Sequence, residues 1–233
     1  MQHFHRSIIQ RIYWIGAIKL TSGTMFTIAT RRRVIGGENV PQKGPLLVVS
    51  NHLSFVDQFL IGVSLGRKLV FMAKMELFKS RFMRHLAHRF GAFPIRRGGI
   101  LDRKALEQAN QVLEDGQALV MFPEGRRNQR AAMTRAFPGS AMIALNNGVP
   151  ILPVAITGLE HIDTKGLLWH LRHRPRVTVT IGRPFHLKPA EGKTGKKELL
   201  KLGDHIMGHV AELLPPEYKG YYGDRQGADD DKD

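Results

Sequence analysis

Six short apolar runs punctuate the 233-residue chain: PLLVVS (45–50), KLVFMA (68–73), GAFPI (91–95), ALVMFP (118–123), PILPVAI (150–156) and RVTVTIG (176–182). Short apolar runs bounded by turn residues are the pattern of buried strands. Between them lie segments that read as helices, each ending on glycine: FVDQFLIGVSLG, MELFKSRFMRHLAHRFG, DRKALEQANQVLEDG and GSAMIALNNG. Strands alternating with helices constrain the chain to an α/β fold, a single domain with a mostly parallel mixed central sheet flanked by helices. From Lys188 the sequence gives a Gly/Lys loop, one amphipathic helix and a Pro-Pro stop, and no linker divides the core, so the domain is drawn as 34–216. Pro150 and Pro153 argue against full ladder bonding, which makes PILPVAI an edge or irregular strand lining a pocket.

Two flanks complete the organisation. Residues 1–33 bring Phe4, Ile8, Ile9, Ile12, Trp14 and Ile15 together with Arg6, Arg11 and Lys19, and end in Arg31, Arg32 and Arg33. A lysine near the middle of the apolar stretch costs roughly 2.5–3.5 kcal/mol on insertion, which disfavours a spanning helix. An amphipathic, membrane-associating segment with arginines on anionic phosphates is the expectation. The arginine cluster stands where a signal peptide would be cleaved, which argues against secretion. Residues 217–233 close on GADDDKD and read as a flexible acidic tail.

There is no cysteine, which excludes disulfides, thiolate metal sites and a cysteine acyl intermediate. The formal charge of +15 favours polyanionic partners: an anionic bilayer, a phosphorylated small molecule or nucleic acid.

Chemistry concentrates where strands end. SNHLSFVDQ follows PLLVV and places His52 and Asp57 five residues apart at a strand-to-helix junction. Five residues along one regular helix diverge by about 140°, so the two side chains meet only if His52 lies outside the helix and bends back. Ser54 as N-cap, with Asp57 at capping-box spacing, supplies that break and is also a purely structural explanation of both residues. If they meet, the carboxylate fixes the imidazole tautomer and the other ring nitrogen takes a proton from an alcohol. FPEGRRN (122–128) puts Gly125 beside Arg126 and Arg127, and GAFPIRRGG puts Arg96 and Arg97 after another apolar run; either pair suits a phosphate or an ordinary basic turn. The histidine pairs His205 with His209, His85 with His88 and His170 with His173 lack a third ligand at convincing spacing and read as basic surface, so no metal site is expected. Ser140 lacks a nucleophile elbow and reads as a helix cap.

In this order, the blocks resemble those of the glycerolipid acyltransferase family: NHxxxxD, a Gly-x-x-Phe-Ile-x-Arg-like block, FPEG-x-R and a proline-containing apolar block. The resemblance spans about Pro45 to Ile156. It implies that His52 is the general base and Asp57 its orienting partner, and that Arg97, Glu124, Gly125 and Arg127 bind the acceptor, with Arg96 and Arg126 adding charge. Pro94, Arg126 and Asn128 depart from the family pattern. The implied reaction moves a fatty acyl group from acyl-CoA or acyl carrier protein, as co-substrate, to lysophosphatidic acid, giving phosphatidic acid in phospholipid biosynthesis. The thioester is already activated, so no cofactor is expected. An anionic phospholipid membrane, reached from the cytoplasmic face as a peripheral or monotopic protein, is the expected partner, and nucleic acid is not. The alternatives are a different acceptor, such as glycerol-3-phosphate, a lyso-ornithine lipid or another lysophospholipid, and, in another class, a basic nucleic-acid-binding protein.

Overall fold

The computed structural model describes residues 28–223 apart from 82, 83, 86, 88–90, 96–102, 129, 130, 161 and 189–193. Arg96, Arg97, the first 27 residues and the acidic residues 229–231 thus lie outside the described residues, and with them the expectation of a membrane-associating N-terminal segment.

Seven strands form one sheet: β1 (Arg31–Ile35), β2 (Leu46–Ser50), β3 (Leu69–Lys74), β4 (Ala92–Ile95), β5 (Ala118–Met121), β6 (Ile151–Thr157) and β7 (Arg176–Ile181). Their spatial order is β1-β7-β6-β2-β5-β3-β4. Every neighbouring pair is parallel except β6 with β7, which makes the sheet mixed, as expected. The helices are α1 (Asp57–Leu65), α2 (Arg103–Glu114), α3 (Gly139–Asn147), α4 (Ile162–His173), α5 (Lys196–Glu212) and α6 (Pro216–Lys219).

The apolar runs of β2, β5 and β6 are continuous rather than alternating because both sheet faces are covered there. In β2, Leu46 and Val48 join Leu60 and Ile61 of α1 in one core. Leu47 and Val49 point the other way, into a second core with Val112 of α2, Ile143 of α3 and Ile206 of α5. Strands β6, β2, β5, β3 and β4 all run in one direction, so their carboxyl ends, at Ser50, Met121 and Ile95 among others, line the same edge of the sheet. That edge, at the carboxyl ends of parallel strands, is where open α/β sheets place ligands.

Three sequence-based expectations change. β6 is an interior strand between β7 and β2, not an edge. Its pairing with β7 starts at Val154, and the Pro153 carbonyl accepts from Gly182 N at 2.9 Å, so the missing donor of Pro153 falls where that ladder ends. The arginines assigned to the N-terminal segment form β1, an exposed strand whose partner is β7. The chain also stays folded past Pro216: α6 and a following turn carry Tyr222 into the core at 5% exposure, so the acidic tail begins later than 217. A tyrosine buries too much apolar area for a solvated tail.

Candidate active site

β2 ends at Ser50, and the next side chain continues its ladder. The Asn51 amide donates to Ile156 O at 2.9 Å and accepts from Ile156 N at 2.8 Å, as a peptide group would. The main chain can therefore leave the sheet at His52 without orphaning β6.

The turn that follows is organised by Asp57, the first residue of α1. One carboxylate oxygen, Oδ2, accepts from His52 Nδ1 at 2.7 Å, Leu53 N at 2.7 Å and Ser54 N at 2.9 Å. The structure thus brings His52 and Asp57 together, with the imidazole turned back from outside the helix. Capping and orientation do not compete, because a single oxygen serves both. Ser54 is not the N-cap: α1 starts at Asp57 with Val56 before it, and Ser54 Oγ accepts from Val56 N at 3.3 Å. The amino-terminal end of α1 adds a favourable field for the carboxylate. Asp57 is fully buried and His52 is 4% exposed. A carboxylate on Nδ1 keeps the proton there and leaves Nε2 as the basic position.

The FPEGRRN segment forms the rest of the cradle. Phe122 stacks on the His52 ring at 4.1 Å between centroids. Glu124 Oε1 accepts from His52 N at 3.2 Å, and Asn128 N donates to His52 O at 2.7 Å, so the histidine backbone is held at both ends. Glu124 Oε2 accepts from Thr134 N at 2.8 Å and Thr134 Oγ1 at 3.1 Å. Burial pushes the Glu124 carboxyl above the usual range, and the bonds from Thr134 and His52 pull it back in part. At 2% exposure, this carboxylate faces protein groups on both oxygens.

Gly125 sits at φ +65, and a Cβ there would lie 2.8 Å from Phe137 Cε2. Glycine is thus required both by the left-handed turn and by the Phe137 ring. Arg126 and Arg127 are exposed at the outer end of the turn. Ser140 is not a cap: it lies buried in the first turn of α3, which has no side-chain cap bond. His205 and His209 pack edge to face at 4.9 Å beside Phe185, and among the described residues no group of three potential ligands could hold a metal.

Sequence reasoning missed four residues of this frame: Asn51, Phe122, Asn128 and Thr134. Asn51, Phe122 and Asn128 lie inside or beside the quoted motifs, but no spacing rule announces what their side chains or amides touch. Thr134 carries no sequence signal.

A family model described as Acyltransferase matches residues 31–157. Over 167 residues the chain is 28% identical to a 1-acyl-sn-glycerol-3-phosphate acyltransferase of Borreliella burgdorferi, covering 71% of this chain and 62% of that protein. It is 29% identical over 161 residues to the chloroplastic LPAT1 of Arabidopsis thaliana, a 1-acyl-sn-glycerol-3-phosphate acyltransferase, covering 67% of this chain and 44% of that protein. The chain therefore spans less than two thirds of either relative. A Bacillus subtilis protein of the same description is 24% identical over 78% of this chain and 87% of its own length. Among solved structures, the 1-acyl-sn-glycerophosphate (LPA) acyltransferase PlsC of Thermotoga maritima superposes with a TM-score of 0.68 at 28% identity, covering 87% of this chain and 79% of that one.

Proposed function

Because the chain belongs to the acyltransferase family, we propose that it transfers a fatty acyl group from a thioester, on coenzyme A or acyl carrier protein, to the free hydroxyl of lysophosphatidic acid. The observation that carries this reading is the buried His52–Asp57 pair at 2.7 Å, in which Nδ1 is taken by the carboxylate and Nε2 is the ring nitrogen left to act as base. The curated relatives named for this acceptor support it.

In the proposed step, Nε2 of His52 removes the hydroxyl proton as the oxygen attacks the thioester carbonyl. The new ester bond forms, the carbon–sulfur bond breaks, and the proton passes from the imidazolium to the departing thiolate. Asp57 stabilises the imidazolium through Oδ2. No protein nucleophile is needed, since positioning plus base catalysis suffices for an activated thioester.

The acceptor phosphate is assigned to the arginines. Arg126 and Arg127 follow β5, the immediate neighbour of β2, whereas Arg96 and Arg97 follow β4, three strands away in the order β2-β5-β3-β4. At ~4.8 Å per strand, that puts the end of β4 roughly 14 Å from β2. Arg126 and Arg127, next to the strand that carries His52, are therefore the pair assigned to the phosphate first. Glu124 and Gly125 act from within, holding the cradle rather than touching the phosphate. No helix among the described residues is long and apolar enough to cross a membrane. The proposal places the protein on the cytoplasmic face of the membrane through its N-terminal segment, attracted by anionic lipid.

The test is thiol release from palmitoyl-CoA or palmitoyl carrier protein with and without lysophosphatidic acid, and with the other acceptors in parallel. Release only with lysophosphatidic acid, lost in His52→Ala at unchanged melting temperature, is expected. Release without any acceptor would make the protein a thioesterase.

A further inference from the structure

The loop 131–137 grips the candidate base from one side and is itself gripped from the other. On the inner side, Thr134 donates twice to Glu124, whose other oxygen holds His52 N, and Phe137 N donates to Pro123 O at 2.9 Å. On the outer side lies the segment 216–222. Met133 N donates to Tyr218 O and Tyr221 N donates to Met133 O, both at 2.9 Å, so the two segments pair through their backbones. Tyr222 OH accepts from Ala136 N at 2.9 Å and donates to Asp204 Oδ1 at 3.1 Å. Asp204 Oδ2 in turn accepts from Arg135 Nη2 at 3.0 Å and Nε at 3.2 Å. A Cβ on Gly220, at φ +48, would stand 2.4 Å from Met133 O, so the contact tolerates no side chain. Met133, Thr134, Arg135, Ala136 and Phe137 are thus each anchored, and the anchors of three of them belong to α5 or to the segment that follows it.

We propose that Tyr222 is a positioning residue for His52, acting through Ala136, Thr134 and Glu124, and that residues 218–222 are a strap fixing the clamp on the base. The inference rests on the acyl-transfer reading of the same site. Without the strap, Thr134 loses its fixed height over Glu124, and the His52 backbone drifts by fractions of an ångström. Displacements of that order matter to a reaction that depends on a near-attack geometry.

The experiment uses the full chain and compares Tyr222→Phe, Thr134→Val and their double variant with a control, Val112→Ala, which thins the same apolar core but removes none of the hydrogen bonds of the strap or the clamp. Tyr222→Phe removes the acceptor of Ala136 N and the donor to Asp204 while keeping the ring. The expected result is a kcat about tenfold lower with KM for both substrates within about twofold. The double variant should lose no more than the larger single loss, since both act through one clamp. Thr134→Ser, which keeps the hydroxyl, should restore most of the kcat lost in Thr134→Val. The strap is overturned if Tyr222→Phe loses no more kcat than Val112→Ala at matched melting temperature, or if the two single losses multiply in the double variant. Wild-type protein with no acceptor-dependent thiol release would overturn the acyl-transfer reading itself, a result separable from failure of the strap.

Discussion

Replacing Asp57 with Asn tests the charge at the centre of the site while keeping its shape. The Asn side chain has one favourable placement: its oxygen takes the Oδ2 position and continues to accept from His52 Nδ1, Leu53 N and Ser54 N. The opposite placement sets an NH2 group against two amides. In the favourable placement, the NH2 occupies the Oδ1 position, where among the described residues the carboxylate oxygen has no hydrogen-bond partner. The fold should therefore survive. Weaker bonds to the turn and the lost charge at the helix start cost about 1–2 kcal/mol, offset by no longer burying an ion. The transition state has no such compensation. A unit charge about 4 Å from the imidazolium is worth about 4 kcal/mol at an effective dielectric of 20, and the loss of charge assistance in the bond itself gives about 2 kcal/mol as a lower bound. These overlap rather than add, so kcat should fall by about 30- to 1,000-fold. The assay is acceptor-dependent thiol release alongside thermal melting. A folded Asp57→Asn protein with more than half the wild-type kcat would refute the assignment of Asp57 as the partner of the base.

Three further outcomes follow from the frame. Asn51→Ala leaves Ile156 N and O buried without partners, and chemical denaturation should show a loss of about 2–4 kcal/mol. Gly125→Ala forces an L side chain to φ +65 and into Phe137, and should lower stability by about 1–3 kcal/mol with a lower melting temperature. Glu124 gives a pH signature. Its carboxyl is raised in the folded state by burial, so between its ordinary value and the raised one the folded protein holds a proton that the unfolded chain has released. The group then lowers stability as pH rises through that window, and Glu124→Gln should remove this slope from denaturation midpoints measured across mildly acidic pH.

The sequence announces the elements whose burial leaves no other pattern. β2, β5 and β6 show as apolar runs because both faces are covered, and the His52–Asp57 contact follows from the need to bend the chain between a strand and a helix. β1 does not show, because RRRVI spends three of its five positions on arginine and pairs at an edge. α4 is also hidden, since Leu168 and Leu171 are exposed and no one-sided apolar stripe marks it. Within the site, the charge of Glu124 is visible but not its direction. Its role depends on Thr134, ten residues on, and on a loop held by Tyr222, 86 residues beyond Ala136. Contacts at such separation leave no trace in local spacing.

The pairing of Met133 with Tyr218 and Tyr221 also sets a timetable. The sheet is complete once Ile181 has left the ribosome, and the dyad can form as soon as α1 docks. The loop over Glu124 gains its outer support only when Tyr222 has emerged, at the far end of the described chain. Domains fold as they are synthesised, amino-terminal parts first. A nascent chain can thus hold its histidine and aspartate together while the loop over Glu124 still lacks its outer support, so the pair and the clamp around it are completed at different moments of synthesis.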